Sequence, residues 1–247
     1  MSQVSVESVT RRSFVRSIGL TLAGMAGSAE WGRLDAASPG VRRHLVVKGD
    51  TLSEIAAKHG TTVTQLKGMN GLKSDLIKVG QTLVVGKGYQ FLKPGLVRVR
   101  NLRRSQWRNI IGHHSGIRYG NASIYGKAHR RRGMENGLAY HFVIGNGLDS
   151  GDGEIEIGDR WKRQIEGGHV SQRKYNLNSV GICVVGDFEK TAPTKNQMAA
   201  FKELVAYLKY DSLYGRPRFL VHKEVKNEQT ICPGKHFPIR ELHKQFG

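Results

Sequence analysis

Two short apolar runs in this sequence end on histidine. Asn109-Ile110-Ile111-Gly112 leads into His113, and Phe219-Leu220-Val221 leads into His222; Cys232 follows ten residues later, ahead of Pro233-Gly234. Two imidazoles and one thiolate form a donor set that suits zinc, with a fourth position left for water. A metal so held lowers the pKa of its water to about 7, which yields a nucleophile at neutral pH. Short apolar runs of this kind are strands. A strand finishing on His113 is expected to deliver that side chain to an open sheet edge, where α/β folds place their ligands. The spacing by itself is not diagnostic, since ligands from separate strands carry no HExxH or CxxC signature. A second cysteine, Cys183, offers a different use for Cys232, because a disulfide between them is the ordinary fate of two thiols in an exported protein.

The elements around these residues alternate strand and helix over 96–247. A helix is expected from about Ser123 to Arg132, then a strand at 138–144. Asp152-Gly153 signals a hairpin turn, with Glu154 to Ile157 returning as a strand. Val180 to Val185 is nearly unbroken apolar sequence, as in a central strand covered on both faces. Thr194-x-x-Gln197 is a capping box, and Met198, Phe201, Leu204, Val205 and Leu208 form one apolar helix face. Ile239 to Gln245 reads as a terminal helix. These elements predict an α/β domain, with a mixed central sheet flanked by helices.

Ahead of it, residues 44–86 read as a small unit of order βααβ. His44 to Val47 is a strand, and Asp50 or Thr51 caps a helix carrying Leu52, Ile55 and Ala56. A second helix runs from Thr62 to Met69, Asn70-Gly71 turns the chain, and Gln81 to Val85 closes the unit. Gly and Pro mark 87–95 as a linker.

The chain has 247 residues and a net charge of +19. No zinc finger, basic helix or RNA-binding aromatic signature accompanies that charge, so no nucleic-acid partner is expected. An anionic polymer of the cell envelope suits it better. Thr10-Arg11-Arg12-Ser13-Phe14 and the Gly/Ala-rich run after it look like a twin-arginine signal over 1–38. That run is too short to span a bilayer. The resemblance implies export, to the periplasm or cell envelope, with no transmembrane helix in the mature chain.

Two family resemblances add to this reading. Val47-Lys48-Gly49-Asp50-Thr51-Leu52, Ile55-Ala56, Asn70-Gly71-Leu72 and Ile77 to Leu83 resemble a LysM domain. That implies binding of N-acetylglucosamine-containing glycans such as peptidoglycan. The implied groove sets Gly49, Asp50, Thr51 and Leu52 against Asn70, Leu72 and Ile77. Residues 96–247 resemble the N-acetylmuramoyl-L-alanine amidases that share a fold with peptidoglycan recognition proteins. The motifs are Ile110 to Ser115, Ala139-Tyr140-His141-Phe142 to Gly145, Gly167-Gly168-His169, Asn178 to Ile182, Val185 to Phe188, His222, and Thr230-Ile231-Cys232-Pro233-Gly234. This resemblance implies zinc held by His113, His222 and Cys232, with Tyr140 beside the metal and Thr230 in a supporting catalytic position. It implies hydrolysis of the amide between the muramic acid lactyl group and L-alanine, by a monomer. His114 and His169 are expected to line the substrate groove, His129 to pack structurally and His236 to lie at the surface. Cys183 stands where some relatives carry a catalytic glutamate. A non-catalytic wall-binding protein, or a zinc peptidase acting within the stem peptide, are the alternative readings.

Overall fold

The computed structural model describes residues 41–214 and 217–247. The signal segment expected over 1–38 lies outside the described residues. No helix among those described is long and apolar enough to cross a membrane.

The front unit has the expected order. Strand β1 (Val41–Leu45) pairs antiparallel with β2 (Thr82–Lys87), and helices α1 (Leu52–Lys58) and α2 (Val63–Asn70) lie between them in sequence. Both helices start on capping boxes, Thr51 with Glu54 and Thr62 with Gln65, which satisfy amide groups that a helix start leaves bare. Gly71 ends α2 in the left-handed conformation that glycine adopts without steric cost. Val46, Leu52, Ile55, Leu66, Leu83 and Val85 form its core.

The segment expected as a linker packs on the larger domain. Glu203 accepts hydrogen bonds from the backbone N–H groups of Gln90, Phe91 and Leu92, at 2.8, 2.8 and 3.0 Å. Leu92 is buried in the core of the larger domain, and Tyr89 and Phe91 pack against that core. The glycine and proline content signalled an irregular path; the apolar residues between them decide that the path is a packed one. A short helix, α3 (Pro94–Val97), follows it.

The larger domain is a five-stranded mixed sheet of order β5-β4-β6-β3-β7. Strands β3 (Asn109–His114), β4 (Phe142–Ile144), β6 (Ser179–Val184) and β7 (Arg218–Val221) are mutually parallel, and β5 (Ile155–Ile157) pairs antiparallel with β4. Its helices are α4 (Ala122–Arg131), α5 (Asp159–Arg163), α6 (Arg173–Asn178), α7 (Lys195–Ala206) and α8 (Ile239–Phe246). After Ala206 the chain widens into a π-helical turn, Tyr207–Ser212.

Alternation along the strands gives the sheet two unlike faces. Ile110, Phe142, Ile144, Val180, Ile182, Val184, Phe219 and Val221 join Phe201, Leu204, Val205 and Leu208 of the α7 segment and Leu242 and Phe246 of α8 in the main core. On this face Gly112 meets the Phe201 ring; a Cβ there would lie 3.0 Å from it. The opposite face carries Ile111, Val143 and Cys183 in two small clusters, one with Tyr125 of α4 and one with Val170 and Val225. Between those clusters lies His113.

Candidate metal centre

His113 is the fifth residue of β3 and sits level with Cys183 of β6. Its side chain therefore lies on the face of the sheet rather than at the open strand edge expected from the sequence. His222 begins the turn after β7, and Cys232 reaches the same point from the loop beyond it. The ligand atoms of His113, His222 and Cys232 all lie within 4.8 Å of one another. His113 Nδ1 is 3.9 Å from Cys232 Sγ, and the two imidazole centroids are 4.6 Å apart.

Each imidazole is oriented by a partner on its other nitrogen. His169 Nε2 lies 3.4 Å from the Ser179 carbonyl, which only accepts, so that nitrogen carries the hydrogen. Nδ1 of His169 then accepts from His113 Nε2 at 3.0 Å, which leaves the lone pair of His113 Nδ1 facing Cys232. His222 Nε2 donates to Glu228 Oε2 at 3.2 Å, leaving its Nδ1 as the donor atom. Second partners of this kind set tautomer and ring orientation at metal sites. Burial, reinforced by neighbouring imidazoles, holds His113 well below the ordinary histidine pKa. Burial also lowers His222, against the opposing pull of Glu228. Both rings are thus held toward the neutral form that a metal ligand requires.

Glu228 is itself pinned. It accepts from Ser171 N and Oγ, both at 2.7 Å, and from Gln172 N at 3.1 Å. Burial works to raise its pKa, but these bonds and His222 hold the carboxyl below its usual range. Neither Glu228 nor its role has a spacing signal; it lies six residues after His222 in an irregular loop.

Cys183 and Cys232 are both free thiols, which removes the disulfide reading. Burial pushes the Cys232 thiol up to about 12, opposed by the His114 N–H, which points at its sulfur from 3.4 Å. Thr230 Oγ1 accepts from Cys232 N at 3.1 Å, so its hydroxyl shapes the loop that carries the sulfur. Gly234 (φ +99°) passes under Phe188, where a Cβ would fall 2.5 Å from backbone. These residues fit a tetrahedral divalent ion: three donors of the right type converge, and both imidazole lone pairs are freed toward one point.

Tyr140 lies beside the donors, its ring 5.3 Å from that of His113. Burial, then the Cys183 and Cys232 thiols, raise its pKa well above the ordinary phenol value. The hydroxyl keeps its proton and is a hydrogen-bond donor at neutral pH.

Several expected site residues serve other ends. His169 does not line a groove. It is buried beneath His113, laid against Gly181, where a Cβ would fall 2.3 Å from its ring. His114 does not share the face of His113; strand alternation turns it toward Phe188, 6.0 Å between rings. Cys183 is a buried strand thiol. His129 packs structurally, accepting from Ala139 N at 3.0 Å, and His236 is exposed, as expected. In the front unit, Leu52 is core, at 3% exposure. Asn70 spends its side chain on β2, donating to Val84 O at 2.7 Å and accepting from Val84 N at 2.6 Å. Asp50 binds His44 and Val47 N, and Thr51 caps α1. Of the expected glycan-binding residues, Gly49 stays exposed, and Leu72 and Ile77 are half-buried.

A cavity of about 620 Å³ opens past the ends of β4 and β6, lined by Ile117, Arg118, Leu148, Phe188 and Lys190 among others. None of the three donor residues lines it.

Comparison with known proteins gives two family matches. The LysM domain family matches residues 44–86, and the N-acetylmuramoyl-L-alanine amidase family matches residues 103–235. The peptidoglycan-recognition protein LB of Drosophila melanogaster is 36% identical over 101 residues, 40% of this chain and 38% of that protein. The cell wall-binding protein YocH of Bacillus subtilis is 54% identical over 43 residues, 17% of this chain and 15% of that protein. The chain thus spans well under half the length of these relatives. Among solved structures, the N-acetylmuramoyl-L-alanine amidase LysC from Clostridium intestinale is 29% identical. The alignment covers 56% of this chain and 83% of that one, with a TM-score of 0.48.

Proposed function

The chain belongs to the N-acetylmuramoyl-L-alanine amidase family, with a LysM domain ahead of its amidase domain, and from that premise we propose a zinc-dependent peptidoglycan hydrolase. The bond cut is the amide between the muramic acid lactyl group and L-alanine. The observation that carries this reading is the convergence of His113 Nδ1, His222 and Cys232, with His169 and Glu228 holding the outward nitrogens.

Bound by these three donors, zinc would supply an acidified water and polarise the scissile carbonyl. The chain's own residues do the rest. His169 and Glu228 keep both imidazoles aimed, and burial holds them toward the neutral form. The His114 N–H stabilises the sulfur in its charged form. Tyr140, protonated and 5.3 Å from the His113 ring, donates to the carbonyl oxygen as negative charge develops there. Cys183, at the position of a glutamate in some relatives, is a buried thiol with its pKa raised and takes no proton. Thr230 acts through Cys232 by fixing its loop. The LysM domain holds the glycan through Gly49, Leu72, Ile77 and the exposed loops around them. The net charge of +19 favours an envelope rich in acidic polymers. Export through a twin-arginine signal to the periplasm or cell envelope, and action as a monomer, complete the reading.

Mass spectrometry of sacculi digested with the wild type and with His113→Ala tests it. The expected product is a free stem peptide with L-alanine at its N-terminus, absent with His113→Ala. Cleavage inside the stem would make the protein a peptidase. Tight sacculus binding without any release would make it a recognition protein.

A further inference from the structure

Positive charge is concentrated in one stretch of this chain. Residues 76–134 hold 13 lysines and arginines and no aspartate or glutamate. Five of the 13, Arg98, Arg100, Arg103, Arg104 and Arg108, fall in the irregular segment between α3 and β3. Apolar residues fix the path of that segment. Val97 and Trp107 belong to the main core, and Val99 and Leu102 pack against it. Gln164 Oε1, at the end of α5, accepts from Trp107 Nε1 at 2.8 Å and from Arg103 N at 3.2 Å. With the apolar side chains turned inward, all five arginines are exposed.

Other groups gather on the same face. Arg218 opens β7 beside Arg108, its N–H donating to Arg108 O at 2.9 Å, and it is exposed too. Arg104 Nε donates to Ser212 O at 2.9 Å, and its guanidinium lies 4.8 Å from the centre of the Tyr214 ring. Tyr214 is 62% exposed and holds a left-handed φ of +56°, which is costly for a residue with a Cβ. Arg98 and Arg104 both act on Tyr207, whose pKa burial and Asp211 raise against them. A hollow of about 770 Å³ is lined by Leu102, Arg103, Arg104, Ser105, Gln106 and Tyr214. Among the described residues, none of these six arginines is in an ion pair with a carboxylate.

Unpaired like charges held together by the fold repel one another, and a bound polyanion relieves that repulsion. Every basic residue in 98–108 is arginine, whose planar fork pairs two anionic oxygens at once, as a phosphodiester presents them. No large apolar side chain is exposed between 97 and 108, so the face lacks the residues that a bilayer-seated surface buries. The Tyr214 ring is already covered by Arg104, so it offers no free platform for stacking bases.

We propose that this arginine face is a second attachment site, which holds a linear phosphodiester polymer of the cell envelope. It rests on the reading above only for its envelope setting; the binding itself needs neither the metal donors nor the LysM domain.

Binding of the full chain to a synthetic glycerol phosphate oligomer, measured by calorimetry over a range of salt concentrations, tests this. Three proteins are compared. The first is the wild type, and the second combines Arg100→Gln, Arg103→Gln and Arg108→Gln. The third combines Lys195→Gln, Arg240→Gln and Lys244→Gln, which removes the same charge from exposed positions on α7 and α8. The second protein keeps Arg104 and its bond to Ser212 and loses only exposed side chains, so its fold is retained. It is expected to bind about tenfold or more weakly at low salt, with a shallower salt dependence, while the third stays near wild type. Equal losses in the second and third proteins would show that net charge alone binds the polymer, and would overturn the proposal. No detectable binding by the wild type would overturn it as well. So would tighter wild-type binding to phosphatidylglycerol vesicles or duplex DNA than to the oligomer at equal phosphate, since the face would then serve a membrane or a nucleic acid.

Discussion

At the scale of single residues, the site separates the three candidate metal donors from the groups that aim them. Replacing His113, His222 or Cys232 by alanine is expected to abolish both metal retention and peptide release. Glu228→Gln keeps the side-chain shape but removes the charge and turns one of its two accepting oxygens into an NH2 donor, which no longer accepts from His222 Nε2. It is expected to lower metal affinity or activity about 10- to 100-fold, the range found for second partners of metal-bound histidine, with zinc content after dialysis as the check. Tyr140→Phe removes only a hydroxyl. If that hydroxyl stabilises developing charge, kcat falls about 10²-fold or more while KM and zinc content stay near wild type. A fall in zinc content would assign Tyr140 to metal binding instead. The three candidate donors were legible in the sequence through the family motifs that carry them, not through their spacing. His169 and Glu228 were not legible as orienting partners. Whether a histidine lines a groove or lies beneath a ligand depends on what covers it, and here the missing side chain of Gly181 makes the space.

At the scale of elements, most of the helices announced themselves. The Thr194 capping box and its apolar stripe start a helix at Lys195, and the helix expected at 123–132 is α4 (Ala122–Arg131). The strand expected at 138–144 is shorter, Phe142–Ile144, because Leu138 to His141 bend in beside the site. The segment at 87–95 shows what packing adds at this scale. Glu203 takes three backbone donors from it, two of them part-buried, and a part-buried donor left without its charged acceptor is costly. Glu203→Ala is expected to destabilise the chain by about 1–3 kcal/mol and to open 87–95 to limited proteolysis. Unchanged protease resistance would mean that the apolar residues alone hold the segment.

At the scale of the whole molecule, buried histidines set the response to acid. Burial, then Arg42 and His44, depress His59 to about 3, and burial depresses His169 likewise to about 3. In the unfolded chain a histidine titrates near 6.5. Between those values the unfolded state binds more protons, so stability falls as pH drops from about 6.5 toward 3. Each such group contributes up to about 1.4 kcal/mol per pH unit within that window. Thermal unfolding of the metal-free chain from pH 7 to pH 4 is expected to show the loss, and His59→Gln to reduce its slope. Equal slopes for both proteins would mean that His59 is not neutral in the folded chain.

Local pattern, read along the chain, was enough for the two domains, the mixed sheet, most helix starts and the three metal-binding candidates. Those features depend on alternation, caps and short motifs, which are written within a few residues of one another. Only the tertiary structure decided which face of the sheet carries the donors, which nitrogen of each histidine is free, and that the two domains pack on each other. Each of these depends on groups far apart in sequence meeting in space, and such contacts leave no periodic trace in a single chain.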